Sequence, residues 1–149
     1  AANRLSLYYQ HDLRAFLSLG GRLLGGAAAL GGVLVLVAVF AGRWLLQVLY
    51  TPDYLPYADE FTLIVAAQAL ALLTNVLGAA TTQMRLFWVQ VPVQLITLLA
   101  TAVAAVLLIP GPTPVRGGAE TVLVRAVVQF VLYAGCAGLG VAQRKRRVA

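Results

Sequence analysis

The chain has 149 residues, of which 61% are hydrophobic and 11% charged, whereas an ordinary soluble domain carries about 25% charged residues. With a mean hydropathy of +0.87, a water-soluble single domain is excluded, and the bilayer becomes the expected solvent for most side chains. The formal charge of +6 is concentrated: four of the eleven Lys and Arg residues are Arg144, Lys145, Arg146 and Arg147. That pattern reads as membrane topology and not as a surface that follows a nucleic-acid backbone. One cysteine (Cys136) and one histidine (His11) allow neither an intrachain disulfide nor a cluster of soft metal ligands, so no metal and no cofactor are expected. The sequence opens at Ala1 without a Met or a signal peptide, which reads as part of a longer chain.

A membrane-spanning helix needs about 20 largely apolar residues. In chain order the sequence predicts a cytoplasmic amphipathic lead-in over 1–22, a first transmembrane helix over 23–50 and an outer loop over 51–60. A second helix over 61–84 and a third over 85–109 follow, joined by a tight link near Arg85. An outer Pro/Gly loop over 110–118 is expected to forbid helix, before a fourth helix over 119–143 and a basic cytoplasmic tail over 144–149. The fold class is therefore all-α: an integral membrane bundle of four transmembrane helices.

Orientation follows from Lys and Arg. Arg4, Arg14, Arg22, Arg85 and the four tail residues make eight on one side, against Arg43, Arg116 and Arg125 on the other. The positive-inside rule puts both ends in the cytoplasm, in a multi-pass protein of the cytoplasmic membrane, with the loop bearing Asp53, Asp59 and Glu60 outside.

Between helices in lipid, association relies on small residues and hydrogen bonds. On the first helix Gly21, Gly25, Ala29 and Gly32 make a small-residue stripe, expected to be a packing groove. The others carry polar stripes at helical spacing: Gln68, Asn75 and Thr82; Gln90, Gln94, Thr97 and Thr101; Thr121, Arg125 and Gln129. Such stripes are costly against hydrocarbon and should face a bundle interior or a wet cavity. Gln68 and Asn75 have two readings, packing glue or substrate contact, of which glue is the commoner use. Arg22 and Arg85 read as topology determinants or cavity residues, and Arg125 as a snorkelling or a cavity residue. Cys136 reads as a small packing residue. No catalytic motif appears: there is no GxSxG, GxxxxGK[ST] or HExxH, and no carboxylate pair within the spans, so an enzyme is not expected.

Four segments carry a family resemblance: DLRAFLSLGGRL before the first span, LLQVLYTPDYLPYADEF at its end, the link TTQMRLFWVQ, and the helix end LLIP. Their order and spacing, from about Tyr8 to Arg147, resemble the C-terminal four helices of a Wzx-like polysaccharide flippase. These flippases belong to the multidrug/oligosaccharidyl-lipid/polysaccharide (MATE/MOP) exporter superfamily. The sequence GPTPVRGGAETVLV after LLIP departs from the family, where a short basic turn and a Gly-Ala-Ala run are usual. The resemblance implies most of the second bundle of a transporter that flips a polyprenyl-pyrophosphate-linked oligosaccharide by alternating access. Its partners would be that lipid-linked substrate, membrane lipids and the missing N-terminal helices of the same chain. A pyrophosphate head needs cationic and amide donors to replace water, for which Arg85, Gln90, Gln94, Arg125 and Arg22 are the candidates here. Two alternatives remain: a multidrug or peptidoglycan-precursor exporter of the same superfamily, and a self-contained four-helix membrane scaffold.

Overall fold

The computed structural model describes residues 13–49, 52–83, 87–110 and 113–148. Four helices account for nearly all of them: α1 (Leu13–Leu49), α2 (Ala58–Gln83), α3 (Phe87–Leu108) and α4 (Pro114–Val148), with a 3-10 turn at Pro52–Tyr57 between α1 and α2. Each helix is long and apolar enough to cross a membrane. The chain is therefore all-α, with the expected number of candidate spans.

Residues 13–22 of the expected lead-in run unbroken into the first span, and residues 1–12 lie outside the described residues. No proline interrupts 13–49, and α1 is one helix of 37 residues, about 55 Å long at 1.5 Å per residue against a hydrocarbon core of about 30 Å. The Pro/Gly loop is shorter than expected, because α4 begins at Pro114. Proline is well suited to a first helical position, where its missing N–H has no intrahelical partner to lose. The Gly117 amide donates to the Thr113 carbonyl at 3.1 Å, which closes the first turn. At its other end α4 runs through the basic tail to Val148.

The helices do not form a closed bundle around an interior. They lie in a row with α4 between α2 and α3; among the described helices α1 packs only on α2, besides its contact with the 3-10 turn, and the sequential pair α2 and α3 barely touch. On α2, the buried residues Ala67, Thr74 and Thr81 recur every seven positions, as Ala119, Ala126 and Tyr133 do on α4. Two helices with small residues at this spacing can approach closely over several turns. Thr74 and Thr81 lose no hydrogen bond on burial, since their hydroxyls donate to the Leu70 and Gly78 carbonyls at 3.0 and 2.8 Å. Leu77, Val93 and Tyr133 form the apolar centre where α2, α3 and α4 meet, and Gly78 lies against the Tyr133 ring.

The small-residue stripe of α1 does not make its packing face. Gly21, Gly25, Ala29 and Gly32 are exposed, and nothing in the structure lies within 4 Å of a Cβ placed on Gly21 or Gly25. The α1–α2 contact uses Gly31, Ala38, Gly42 and Leu46, all buried, a face roughly a quarter turn away at about 100° per residue. Gly31 is needed there because a Cβ would stand 3.0 Å from that of Ala69, while Gly42 faces Phe61.

The tightest backbone approach joins α3 to α4. A Cβ on Gly117 would collide with the Leu108 carbonyl, whereas one on Gly118 would meet nothing. Gly117→Ala is therefore expected to destabilise the fold by about 1–3 kcal/mol, the usual cost of overpacking. Gly118→Ala should be neutral or slightly stabilising. Thermal unfolding of the two variants in detergent checks this, and equal midpoints would refute the close approach.

Candidate functional site

With α4 inserted between α2 and α3, the polar stripes of all three helices come to one side of the row. Arg125 of α4 stands at their centre. On its α2 side it lines a small cleft of about 110 Å³ with Gln68, Ala71 and Gln129. On its α3 side it lines a second of about 200 Å³ with Gln94, Thr97, Leu98 and Thr101. Asn75 and Thr82 continue the Gln68 stripe at intervals of seven, and Asn75 is exposed on the same face.

The height of Arg125 decides what it can do. Its neighbours Gln68 and Ala71 lie near the middle of α2 (Ala58–Gln83), and Thr97 and Thr101 lie at and just past the middle of α3 (Phe87–Leu108). Roughly a dozen residues of α2 extend to either side, about 18 Å of helix at 1.5 Å per residue. Half a hydrocarbon core is about 15 Å, so a guanidinium at this height lies within a candidate span unless its side chain reaches toward the end of the span. A charge held there must face water, a polar partner or an anion.

The polar groups beside Arg125 are held by local hydrogen bonds. Thr97 and Thr101 donate their hydroxyl protons to the Val93 and Thr97 carbonyls at 2.8 and 2.7 Å, as threonines in apolar helices commonly do. The Gln94 amide nitrogen donates to the Tyr133 hydroxyl at 3.4 Å. Tyr133 is 6% exposed and so fixes the inner end of an otherwise exposed Gln94.

The remaining candidates are distributed differently. Gln90 donates to the Thr82 hydroxyl and ties the start of α3 to the end of α2; it lines neither Arg125 cleft. Arg22 is exposed on α1, which α2 separates from α4. Arg85 lies outside the described residues. Gln68 and Asn75 are exposed on α2 and make no interhelical hydrogen bond among the described residues, while the buried Thr74 and Thr81 pack with their hydroxyls bonded inside α2. Tyr133 escaped sequence reasoning, although it extends the i, i+4 series Thr121, Arg125, Gln129 by one step. A phenol among Val131, Leu132 and Ala134 gives no signal that separates it from the core.

Two other surfaces frame this site. Toward the α1–α2 connection, Asp59, Glu60, Thr62 and Arg116 line a charged cavity of about 410 Å³, and Arg116 pairs with Glu120 at 3.0 Å. Among the described residues the Glu60 Oε2 is buried without a partner. Between α1 and α2 an apolar groove runs along Ala28, Gly32, Leu36, Ala66, Leu70 and Leu73. On α2 these residues are roughly opposite Gln68 and Asn75, so one side of the row is polar and the other apolar.

Comparison with protein-family models, curated proteins and solved structures finds no match to this chain. What the site can do therefore rests on its own geometry: a cation at mid-height, amide and hydroxyl groups on both sides, and no acidic residue among those lining either cleft.

The two-sidedness is testable by thiol accessibility in a Cys136→Ala background. Gln68→Cys and Asn75→Cys should react with a membrane-impermeant thiol reagent at least about tenfold faster than Leu70→Cys and Leu73→Cys, because thiolate forms in water and not in hydrocarbon. Equal rates would mean that the polar face is not wet.

Proposed function

We propose that this chain is part of a membrane transporter that flips a polyprenyl-pyrophosphate-linked oligosaccharide across the cytoplasmic membrane for polysaccharide biosynthesis. The observation that carries the reading is Arg125, held at mid-height on an open polar face between two clefts. A lipid-linked pyrophosphate crossing a bilayer must exchange its hydration shell for charged and amide donors at that depth. Its polyprenyl tail needs only lipid, which a row open along its edge leaves within reach. Among the described residues nothing covers the polar side of the row, where the other bundle of such a transporter would stand, with both ends of this segment in the cytoplasm.

A cation-coupled multidrug exporter fits less well, since it calls for a carboxylate in the middle of the spans. Among the described residues the acids are in the Pro52–Tyr57 turn or the first two turns of a helix: Asp53, Asp59, Glu60 and Glu120. The scaffold reading is favoured by one observation, the exposed Gly21 and Gly25 on α1, which leave a small-residue surface for another molecule. It predicts a native intact mass near 15.8 kDa, which a larger transporter would exceed.

In the full-length protein, Arg125→Gln should lower export of lipid-linked oligosaccharide by roughly ten- to a hundredfold, the loss expected from removing a charged hydrogen-bond donor. Arg125→Lys should retain part of the activity, since it keeps the charge but not the guanidinium fork. Translocation measured in reconstituted vesicles checks this, and normal export by Arg125→Gln would overturn the reading.

A further inference from the structure

The apolar side of the row, opposite Gln68 and Asn75, carries a trough along the seam of α1 and α2. Asp59, Leu63, Ala66, Leu70 and Leu73 follow one another at steps of three and four on α2, which puts them on one face. They line it in two parts: the charged cavity of about 410 Å³ at the start of α2, and the apolar groove of about 540 Å³ toward the middle of the helices. The two meet within one turn, since Val39 and Leu63 line the first and Leu36 and Ala66 the second. The α1 wall is open, for Ala28, Gly32, Leu36 and Val39 are all exposed. From Leu63 to Leu73 the trough runs about 15 Å at 1.5 Å per residue, the hydrocarbon depth of one leaflet. Its mouth holds two acids, Asp59 and Glu60, to one base. Arg116 gives its Nε–H to Glu120 at 3.0 Å, which leaves the Nη donors of its fork. Asp59 is exposed, and among the described residues no hydrogen bond offsets the Glu60 Oε2 behind it. The helix dipole accounts for acids in the first turn of α2, but not for an open apolar trough one leaflet deep that leads away from them.

We infer that this trough seats one phospholipid whose head carries a primary ammonium, of the phosphatidylethanolamine class. An acyl chain lies along Ala28, Gly32, Ala66 and Leu70, where small side chains leave it room. The phosphate takes the Nη donors of Arg116, and the ammonium donates to the Asp59 carboxylate, both charge-assisted bonds, while the Glu60 charge adds to the attraction. The head-group class follows from the mouth. An anionic head would bring negative charge to a cavity richer in acid than in base, and a trimethylammonium has no N–H to give Asp59. Because α1 packs on no other helix than α2 among the described ones, the lipid becomes its second neighbour. The inference is independent of the transport reading, which rests on Arg125 and the opposite face of α2.

The test is native mass spectrometry of the purified protein in detergent, titrated with phosphatidylethanolamine, phosphatidylcholine and phosphatidylglycerol of identical acyl chains. Phosphatidylethanolamine is expected to bind about tenfold more tightly than either of the others, the gain of one hydrogen bond to a charged group. Asp59→Asn should reduce that margin to about threefold, and Asp59→Asn with Glu60→Gln should abolish it. Arg116→Gln should weaken all three lipids. A Cβ on Gly32 meets nothing within 4 Å, so Gly32→Leu fills the trough without disturbing the helices and should weaken all three about tenfold. Gly138 is equally open but lies on α4, and Gly138→Leu should change none of the affinities. Equal affinities for the three lipids, tightest binding of phosphatidylglycerol, or a margin that survives the double variant would overturn the assignment. So would affinities untouched by Gly32→Leu or Arg116→Gln, or a loss of the same size in Gly138→Leu.

Discussion

The arrangement depends on α4 lying between α2 and α3. In lipid no hydrophobic force sorts helices, so the partner that permits the closest backbone approach wins. Ala67, Thr74 and Thr81 on α2 and Ala119, Ala126 and Tyr133 on α4 provide such surfaces at matching seven-residue intervals. At the far side, Gly117 lets the first turn of α4 pass directly against the end of α3. The consecutive helices α2 and α3 are thereby kept apart except near their connection, where Gln90 reaches Thr82.

This order of helices turns three separate stripes into one surface. If α2 and α3 packed on each other, Gln68 and Gln94 could be buried between them as mutual hydrogen-bond partners, and Arg125 would stand alone. With α4 interposed, the amides are on either side of the arginine, and of the three only Gln94 is engaged across a helix interface, through Tyr133. The charge is affordable at that depth only because the same face carries amides and hydroxyls and can hold water or an anion. Transport of a strongly hydrated head group through a bilayer needs such a face, and the opposite side, lined by Ala28, Gly32, Leu36, Ala66 and Leu70, suits hydrocarbon.

Much of this was legible along the chain. The four apolar runs fixed the number of helices, Pro52 and the Pro110–Pro114 segment placed two of the breaks, and the spacing of Gln68 and Asn75, of Gln90 and Gln94, and of Arg125 and Gln129 put each polar set on one side of its helix. The small-residue stripe at Gly21 and Gly25 stays open among the described helices, because helical periodicity identifies a face without saying what packs on it. Gly31 and Gly42 are no more conspicuous in the sequence, and only the positions of Ala69 and Phe61 select them.

The sequence by itself determined an all-α chain with four candidate spans and the polar residues each of them carries, since length and periodicity are properties of single helices. Only the tertiary structure decided that the helices form a row, that Arg125 stands at mid-height between Gln68 and Gln94, and that Tyr133 holds Gln94. Those relations depend on which helices become neighbours, and in lipid that choice follows from the fit of side-chain shapes across an interface, which no single stretch of sequence contains.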